Sequence, residues 1–242
     1  MNLKGIVPNA LTMANLLCGA LATVQILLHG NIILAVELMI LGAIFDFGDG
    51  LAARLLGVAG PLGKQLDSLA DAITFGLVPA LLACSMMPNF GEDKASYLPL
   101  IILVASVYRL GKFNLDEEQS DHFKGLATPA NAIFWGAAAG IFHSYESGMT
   151  ETLSGFLHEG AVVVGLSIVF SLLMISSIPL MAFKFKRGQT VLNRQRLILV
   201  GLCAGTYMLL FFLTKNPWVG VPFVLLLYLV YSTIIHSLNT KQ

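Results

Sequence analysis

Charged residues are scarce in this sequence. Asp, Glu, Lys and Arg together make up 12% of its 242 residues, whereas 56% are hydrophobic. Soluble domains carry about 25% charged residues, so this chain has too little polar surface to cover a water-soluble globule. The composition therefore excludes an ordinary soluble domain and predicts an integral membrane protein.

Cysteine is also rare, and no histidine cluster replaces it. The three cysteines, Cys18, Cys84 and Cys203, lie in apolar stretches, and the five histidines are scattered. This spacing excludes a zinc cluster and favours buried thiols without a redox role. The formal net charge is zero, so no basic surface for a nucleic acid is expected.

Long apolar runs are what the sequence has instead. About 20 helical residues are needed to cross the hydrocarbon core of a bilayer, and the runs reach that length between turn-forming segments. They predict an all-α, polytopic membrane helix bundle with about eight transmembrane helices, forming a single integral membrane domain over residues 1–242. The expected spans are 9–28, 31–56, 64–87, 96–114, 128–146, 159–183, 192–213 and 217–237.

The basic residues predict the orientation of these spans. With the N-terminus in the cytoplasm, twelve of the 14 Lys and Arg residues fall on the cytoplasmic side. Only Lys94 and Lys215 fall in outer loops. This asymmetry agrees with the positive-inside rule and predicts cytoplasmic termini.

One stretch conflicts with a purely hydrocarbon environment. Residues 46–71 read DFGDGLAARLLGVAGPLGKQLDSLAD and contain four aspartates. Asp46 and Asp49 share a face of the second span, and Asp67 and Asp71 share a face of the third. The short link makes the two spans antiparallel neighbours, so the four carboxylates are expected to converge near the cytoplasmic boundary.

Converging carboxylates repel one another unless cations lie between them. An all-oxygen site suits a hard divalent ion such as Mg²⁺, Mn²⁺ or Ca²⁺, and such a site beside an open cleft is typical of phosphoryl transfer. Two other interpretations are a set of acids at a water-exposed helix end and a cation path through a transporter. Against a transporter, the acids cluster on one side of the membrane and the second half has no matching charged repeat.

The same stretch resembles the signature of the CDP-alcohol phosphotransferases, D-x-x-D-G-x-x-A-R-x8-G-x-x-x-D-x-x-x-D, at every fixed position. The resemblance implies a membrane enzyme that displaces CMP from a CDP-linked lipid with an alcohol. It implies that two divalent ions, Mg²⁺ or Mn²⁺, are held by the aspartates, and that Asp71 is the catalytic base. The implied nucleotide contacts are Asp49, Gly50, Ala53 and Gly63.

Several further segments resemble the CDP-diacylglycerol–serine O-phosphatidyltransferases. The segments are YRLGKFN at 108–114, FKGLATPANA at 123–132, PNALTMANLLCGALA near the N-terminus, and MISSIPLMAFK ending at Lys184. They imply an acceptor-specific region at about 108–132, with CDP-diacylglycerol and L-serine as substrates and CMP as a product. Lys112, Ala127, Leu180 and Ala182 depart from the pattern.

Basic and polar residues near the cytoplasmic boundary are candidates for binding the serine carboxylate or a lipid phosphate. For each of them the alternative is anchoring or helix capping. The candidates are Arg54, Arg109, Lys112, Asn114 and Lys184.

Two matters stay open from the sequence. A sister enzyme could use glycerol 3-phosphate or an inositol compound, although a phosphate acceptor should need a denser basic cluster. Glu37 lies about half a helical turn out of phase with Asp46, which favours interhelical packing or a homodimer contact. The expected location is a bacterial or archaeal inner membrane, with the active site facing the cytoplasm.

Overall fold

The computed structural model describes residues 5–58, 60–115, 122–144, 149–181 and 190–239. Within these ranges the protein is helical, apart from one pair of three-residue strands, so the predicted all-α class is confirmed. The helices are α1 (Ile6–Val24), α2 (Ile32–Leu56), α3 (Pro61–Asp71), α4 (Val78–Ser85), α5 (Ile101–Leu115), α6 (Thr128–Phe142), α7 (Met149–His158), α8 (Gly160–Ile175), α9 (Thr190–Thr214) and α10 (Gly220–Asn239).

Three of these helices continue into segments with a different helical pitch. A π-helical segment, Gln25–His29, follows α1, a second one, Ala72–Leu77, joins α3 to α4, and a 3₁₀ segment, Lys94–Leu100, precedes α5. The joined elements form continuous rods such as Pro61–Ser85, which at about 1.5 Å per residue is long enough to cross a bilayer.

Five helical rods in the described part of the chain are long and apolar enough to span a membrane, or six if α7 and α8 count as one broken span. These rods support an integral membrane protein. Helix α2 has 25 residues, but three carboxylates and an arginine interrupt its apolar sequence. Helix α6 has only 15 residues. The count of eight spans therefore remains a prediction.

Helices α2 and α3, joined by a short link, form what we call the α2–α3 hairpin. They bring Asp46 and Asp49 of α2 close to Asp67 of α3, as the sequence predicted, and both helices pack mainly against α1. Asn31 caps the start of α2 by accepting a hydrogen bond from the Leu34 amide. Gly57 ends the helix with a φ of +64°, a left-handed conformation that glycine adopts at little cost. Pro61 then begins α3, where its missing N–H leaves no helical hydrogen bond unmade.

The span predicted at 159–183 is wrong after Ile175. Helix α8 ends at Ile175, and α7 and α8 meet at an angle of 88°. Pro179–Met181 form strand β2, antiparallel to strand β1 at His122–Lys124. Pro179 cannot donate a helical hydrogen bond, and it disfavours helical backbone at the residue before it, so the helix cannot continue into this segment.

Helix α6 lies at the centre of the bundle and contacts α2, α4 and α10. Trp135 is completely buried and packs edge-on against Phe170 of α8. On the face towards α2, a Cβ at Gly136 would lie 2.8 Å from the Met39 terminal methyl group and 3.3 Å from a Val36 methyl group, so a larger residue there would have to displace the Met39 side chain. The predicted span at 128–146 ends earlier than expected, at Phe142.

Candidate active site

Three of the four signature aspartates meet between α2 and α3. Each of Asp46, Asp49 and Asp67 offers a carboxylate oxygen, and these three oxygens lie within 4.8 Å of one another. The convergence follows from the hairpin, because residues on facing sides of α2 and α3 are brought to the same depth. We call these three residues the aspartate cluster.

Helix α1 packs against both arms of the hairpin and supplies polar contacts to it. Thr12 and Asn15 lie on the buried face of α1, three positions apart. The Thr12 hydroxyl donates a hydrogen bond to Asp49, whose side chain is only 6% exposed. This contact fixes the orientation of the Asp49 carboxylate.

Asp71 occupies a different environment from the other three aspartates. It is 8% exposed, and its Oδ1 accepts a hydrogen bond of 3.2 Å from the Asn15 amide. The aspartate cluster, as defined by its oxygen distances, does not include it. The structure therefore separates three converging carboxylates from a fourth that is buried against Asn15.

The backbone around Asp71 explains how Asn15 reaches it. The π-helical segment begins directly after Asp71, and its Thr74 hydroxyl donates to the Asn15 carbonyl oxygen at 3.0 Å. Gly19 allows this approach, because a Cβ there would clash with Thr74. Pro79 follows one turn later, and its ring excludes the normal α-helical hydrogen bond to the Phe75 carbonyl, which favours the wider π turn.

A cleft of about 360 Å³ opens beside the aspartate cluster. Its walls come from α1, the end of α2, the link between α2 and α3, and the start of α3. All four predicted nucleotide contacts lie on it. The lining residues are Pro8, Asn9, Thr12, Asp49, Gly50, Ala53, Arg54, Val58, Gly60, Gly63, Lys64 and Asp67.

Small residues keep this cleft open. A Cβ added at Gly50 would meet no atom within 4 Å, and one at Gly63 would meet only the Asn9 side chain, at 3.7 Å. The space above these glycines is therefore free, and a flat group such as a nucleotide base or ribose could approach the backbone there.

The predicted basic residues fall into different settings. Arg54 lines the cleft, and its Nε donates to the Gly50 carbonyl of its own helix at 2.9 Å. Lys112 is exposed, and Lys184 lies outside the described residues. Arg109, three residues before Lys112 on α5, is partly buried.

Arg109 is the inward-facing cation near the reaction site. Its guanidinium interacts electrostatically with Asp71 and with the Tyr228 phenol of α10. Its Nε is buried and has no hydrogen-bond partner among the described residues. A buried guanidinium N–H without a partner is costly, so this group is available to an anionic ligand.

Asn114 has a structural contact that the sequence did not predict. Its side-chain amide donates to the Ser68 hydroxyl at 2.7 Å, and its backbone carbonyl accepts from the Lys64 ammonium group at 2.8 Å. These bonds tie the end of α5 to α3 within one turn of Asp67. Asn114 therefore positions the hairpin, whether or not it also contacts a substrate.

Comparison with known proteins agrees with this geometry. The sequence model of the CDP-alcohol phosphatidyltransferase family matches residues 5–171. The chain belongs to this family. The match includes α1, the α2–α3 hairpin and most of α8, whereas β2, α9 and α10 lie beyond it.

Individual relatives are named for serine lipids. The chain is 37% identical over 127 residues to a CDP-diacylglycerol--serine O-phosphatidyltransferase of Bacillus subtilis, covering 51% of this chain and 69% of that protein. It is 34% identical over 174 residues to an archaetidylserine synthase of Methanothermobacter thermautotrophicus, covering 71% and 67%. A serine O-phosphatidyltransferase of Helicobacter pylori is 28% identical over 182 residues, covering 73% and 72%.

The donor set of the family site fits a hard divalent ion. Every ligand atom that the aspartate cluster offers is a carboxylate oxygen, which is what Mg²⁺ and Mn²⁺ prefer. Three carboxylates this close would repel one another strongly without a cation or protons between them. The cluster is thus able to hold a metal ion.

Thr12 and Asn15 are the site residues that sequence reasoning missed. Both lie in the apolar N-terminal span, within the segment PNALTMANLLCGALA. Their polarity in an apolar helix, at a spacing that puts them on one face, is the signal that could have identified them as partners of buried aspartates.

Proposed function

We propose that this protein transfers the phosphatidyl group of CDP-diacylglycerol to L-serine, producing phosphatidylserine and CMP. The main support for this proposal is the aspartate cluster beside an open cleft, because converging carboxylates can hold the divalent ions used in phosphoryl transfer from a nucleotide-linked donor. Serine as the acceptor is supported by the names of the relatives, which agree on serine and differ in the lipid.

The cleft is the proposed nucleotide site. The CMP part of the donor lies against Gly50, Ala53 and Gly63, where the backbone is accessible. The pyrophosphate then reaches the aspartate cluster, with Arg54 and Lys64 at the rim of the cleft. Divalent ions held by Asp46, Asp49 and Asp67, with Asp71 beside them, would neutralise charge on the phosphate oxygens and on the departing CMP.

Asp71 is the proposed general base. A serine hydroxyl needs to lose its proton as it attacks, and no histidine occurs in the signature. The Asp71 carboxylate takes the hydroxyl proton, the serine oxygen bonds to the phosphorus next to diacylglycerol, and the bond from that phosphorus to CMP breaks. Asn15 orients the carboxylate by its hydrogen bond to Oδ1.

Arg109 is the proposed partner of the serine carboxylate. It lies within electrostatic range of Asp71, which supports a place for the acceptor close to both residues. Its unpartnered Nε supports this assignment. Lys112 is exposed, so it is better placed to meet lipid headgroups than the acceptor.

The proposed orientation places this site at the cytoplasmic face, from the distribution of Lys and Arg. The exposed carboxylate of Glu37 on α2 supports a homodimer contact, because an acid facing the lipid is costly unless a second chain covers it. Cross-linking of the purified protein through a cysteine at position 37 would test the dimer.

The decisive experiment is an acceptor assay with the purified protein. CDP-diacylglycerol, Mg²⁺ or Mn²⁺ and one of L-serine, glycerol 3-phosphate or inositol are mixed, and the release of CMP is measured. Serine-dependent CMP release with formation of phosphatidylserine is expected. A clear preference for another acceptor would overturn the serine assignment and leave the reaction class intact.

A further inference from the structure

Helix α5 lies alongside the rod Pro61–Ser85, and its contacts with the rod follow one another in antiparallel order. A Cβ added at Gly76 would lie 3.3 Å from the Ser106 Cβ. One turn further along α5, Arg109 interacts electrostatically with Asp71, which comes earlier in the rod. The last turn of α5 therefore lies beside the first turns of α3.

A closed ring of three hydrogen bonds holds this last turn of α5 to α3. The Lys64 ammonium group donates to the Asn114 backbone carbonyl at 2.8 Å, and the Asn114 side-chain amide donates to the Ser68 hydroxyl at 2.7 Å. The Ser68 hydroxyl in turn donates to the Lys64 backbone carbonyl at 3.1 Å. A carbonyl in the last turn of a helix has no partner within the helix, so a cation is favourable there. We call these three residues the α3–α5 clasp.

Lys64 is the member of the clasp that also lines the cleft beside the aspartate cluster. Its side chain is exposed, and within the part of the chain that the structure describes its ammonium group bonds to Asn114 alone. An ammonium group has three N–H donors. Two of them therefore remain for an anion in the cleft.

The other end of the clasp belongs to the helix that carries the proposed acceptor residue. Arg109, the proposed partner of the serine carboxylate, comes five residues before Asn114 on α5. Five helical residues correspond to about 7.5 Å along the axis, so a displacement of the last turn of α5 also changes the position of Arg109 relative to Asp71. The clasp thus joins a wall of the cleft to the helix that is proposed to hold the acceptor.

We infer that Lys64 couples the two substrate sites: it binds a phosphate of the nucleotide-linked donor while it holds Asn114, so that a donor in the cleft strengthens the binding of the acceptor. This inference rests on the proposed function, because it takes that donor and serine as the substrates. An exposed lysine side chain loses conformational entropy when it holds α5 by itself. A bound phosphate fixes the ammonium group, and the acceptor then binds to a helix end that is already ordered.

A lysine that merely caps α5 would behave differently. Its removal would loosen the helix end and weaken acceptor binding by the same factor whether or not the cleft holds a nucleotide. Coupling is instead the ratio of two affinities for one ligand, with and without the other ligand, and it is the same whichever ligand is measured. The experiment therefore measures this ratio.

The first test measures binding without turnover. CDP carries the nucleoside and both phosphates of the donor but no lipid, so the purified protein can be mixed with Mg²⁺, CDP and L-serine without phosphatidyl transfer. The Kd of CDP is measured by calorimetry with and without saturating serine. For the unmodified protein we expect serine to tighten CDP binding about five- to tenfold, at the low end of coupling between sites because Lys64 is exposed.

Three variants show whether the coupling depends on Lys64. Lys64→Met removes the ammonium group and keeps an apolar side chain, and serine should then have no effect on the Kd of CDP. Lys64→Arg keeps a cation and should retain most of the effect. Arg194→Met is the control, because it removes another exposed cation, at the start of α9. Undiminished coupling in Lys64→Met, or no coupling in the unmodified protein, would overturn the inference.

Ser68→Ala tests the clasp from a residue outside the lining of the cleft. It breaks the bond from the Asn114 side chain, so the affinity for CDP alone should stay unchanged while the effect of serine on CDP binding decreases. This variant gives a result even if Lys64→Met binds CDP too weakly for measurement. Full coupling in Ser68→Ala would show that the clasp does not connect the two sites and would overturn the inference.

These outcomes separate the coupling from the proposed function. Serine-dependent CMP release from CDP-diacylglycerol, by a protein in which serine does not affect CDP binding, would overturn the coupling and leave the proposed function standing. Coupling of CDP to glycerol 3-phosphate instead of serine, lost in Lys64→Met, would overturn serine as the acceptor and support Lys64 as the link between the two sites.

Discussion

Four carboxylates lie at the centre of this site, and their contacts divide them into two kinds. Asp46, Asp49 and Asp67 converge, whereas Asp71 is buried against Asn15. Converging oxygens suit a cation, and a single buried carboxylate with one hydrogen bond suits proton transfer. The same residue type can therefore serve two functions within one signature.

Removing a carboxylate from the aspartate cluster should abolish turnover by weakening metal binding. Asp46→Asn, Asp49→Asn and Asp67→Asn each replace a charged ligand by a neutral amide of the same size. We expect each variant to need much more Mg²⁺ or Mn²⁺ for any residual CMP release, measured by titration of the metal. Full activity of the unmodified protein in excess EDTA would contradict a metal-dependent reaction.

Asp71→Asn should lower kcat by about 10²–10⁴-fold, the usual contribution of a positioned general base. Binding of CDP-diacylglycerol, measured separately, should be largely retained. Asn15→Leu removes the hydrogen bond to Asp71 while keeping the volume, and it should lower kcat by a smaller factor. If Asp71→Asn loses metal and donor binding together, Asp71 is a ligand and not the base.

Arg109 and Lys112 offer a matched pair of cations on α5. Arg109→Ala should raise the serine KM about ten- to hundredfold, because hydrogen bonds between charged groups contribute about 1.5–3 kcal/mol. Lys112→Ala should change it little, since Lys112 is exposed. A rise confined to the KM of CDP-diacylglycerol would place Arg109 on the lipid phosphate.

At the scale of elements, the α2–α3 hairpin could be predicted from the sequence, but the pair of strands at residues 122–124 and 179–181 could not. The spacing of the aspartates, the glycine at 57 and the proline at 61 all agree on two helices and a short link. In the segment SSIPLM at 176–181, Pro179 indicates that α8 ends, but nothing in the pattern shows that residues 179–181 form a strand. Its pairing with residues 122–124 depends on a contact between distant parts of the chain.

The π segment after Asp71 was also missed, for a physical reason. A local widening of a helix leaves the apolar pattern almost unchanged, and only Pro79 marks it in the sequence. Thr12 and Asn15 were missed as partners because their contacts join α1 to residues 37 and 56 positions away. Contacts between residues so far apart in the sequence can be identified only from the packing of the helices.

Gly125 tests the packing of the strand pair against α8. Its φ is +74°, and a Cβ would lie 2.6 Å from the Met174 carbonyl oxygen. Gly125→Ala should therefore destabilise the protein by about 1–3 kcal/mol, the usual cost of a non-glycine residue in this conformation. Gly165→Ala is the matched control, because a Cβ there meets no atom within 4 Å.

The measurement is thermal unfolding in detergent, followed by the loss of the monodisperse peak in size-exclusion chromatography. Gly165→Ala should leave the Tm unchanged or raise it slightly, since alanine is the better helix former. A Tm for Gly125→Ala equal to that of the control would mean that the turn after β1 adapts, and that the strand pair does not depend on this close approach.

At the scale of the whole molecule, the orientation in the membrane links the site to its substrates. L-serine, CMP and divalent ions are water-soluble, so the cleft must face the compartment that holds them. If the N-terminus is cytoplasmic, the α2–α3 link lies inside, and the loop between α4 and α5 lies outside. The distribution of Lys and Arg predicts this arrangement.

Single cysteines at Gln65 and Glu92 test it directly. Both side chains are exposed, Gln65 near the start of α3 and Glu92 in the loop before the 3₁₀ segment. The native Cys18, Cys84 and Cys203 are first replaced in a background that keeps its activity. A membrane-impermeant maleimide added to intact cells should label Glu92→Cys, and Gln65→Cys should be labelled only after the membrane is opened. Labelling of both positions from the same side would mean that the rod Pro61–Ser85 does not cross the bilayer. It would also contradict the cytoplasmic placement of the cleft.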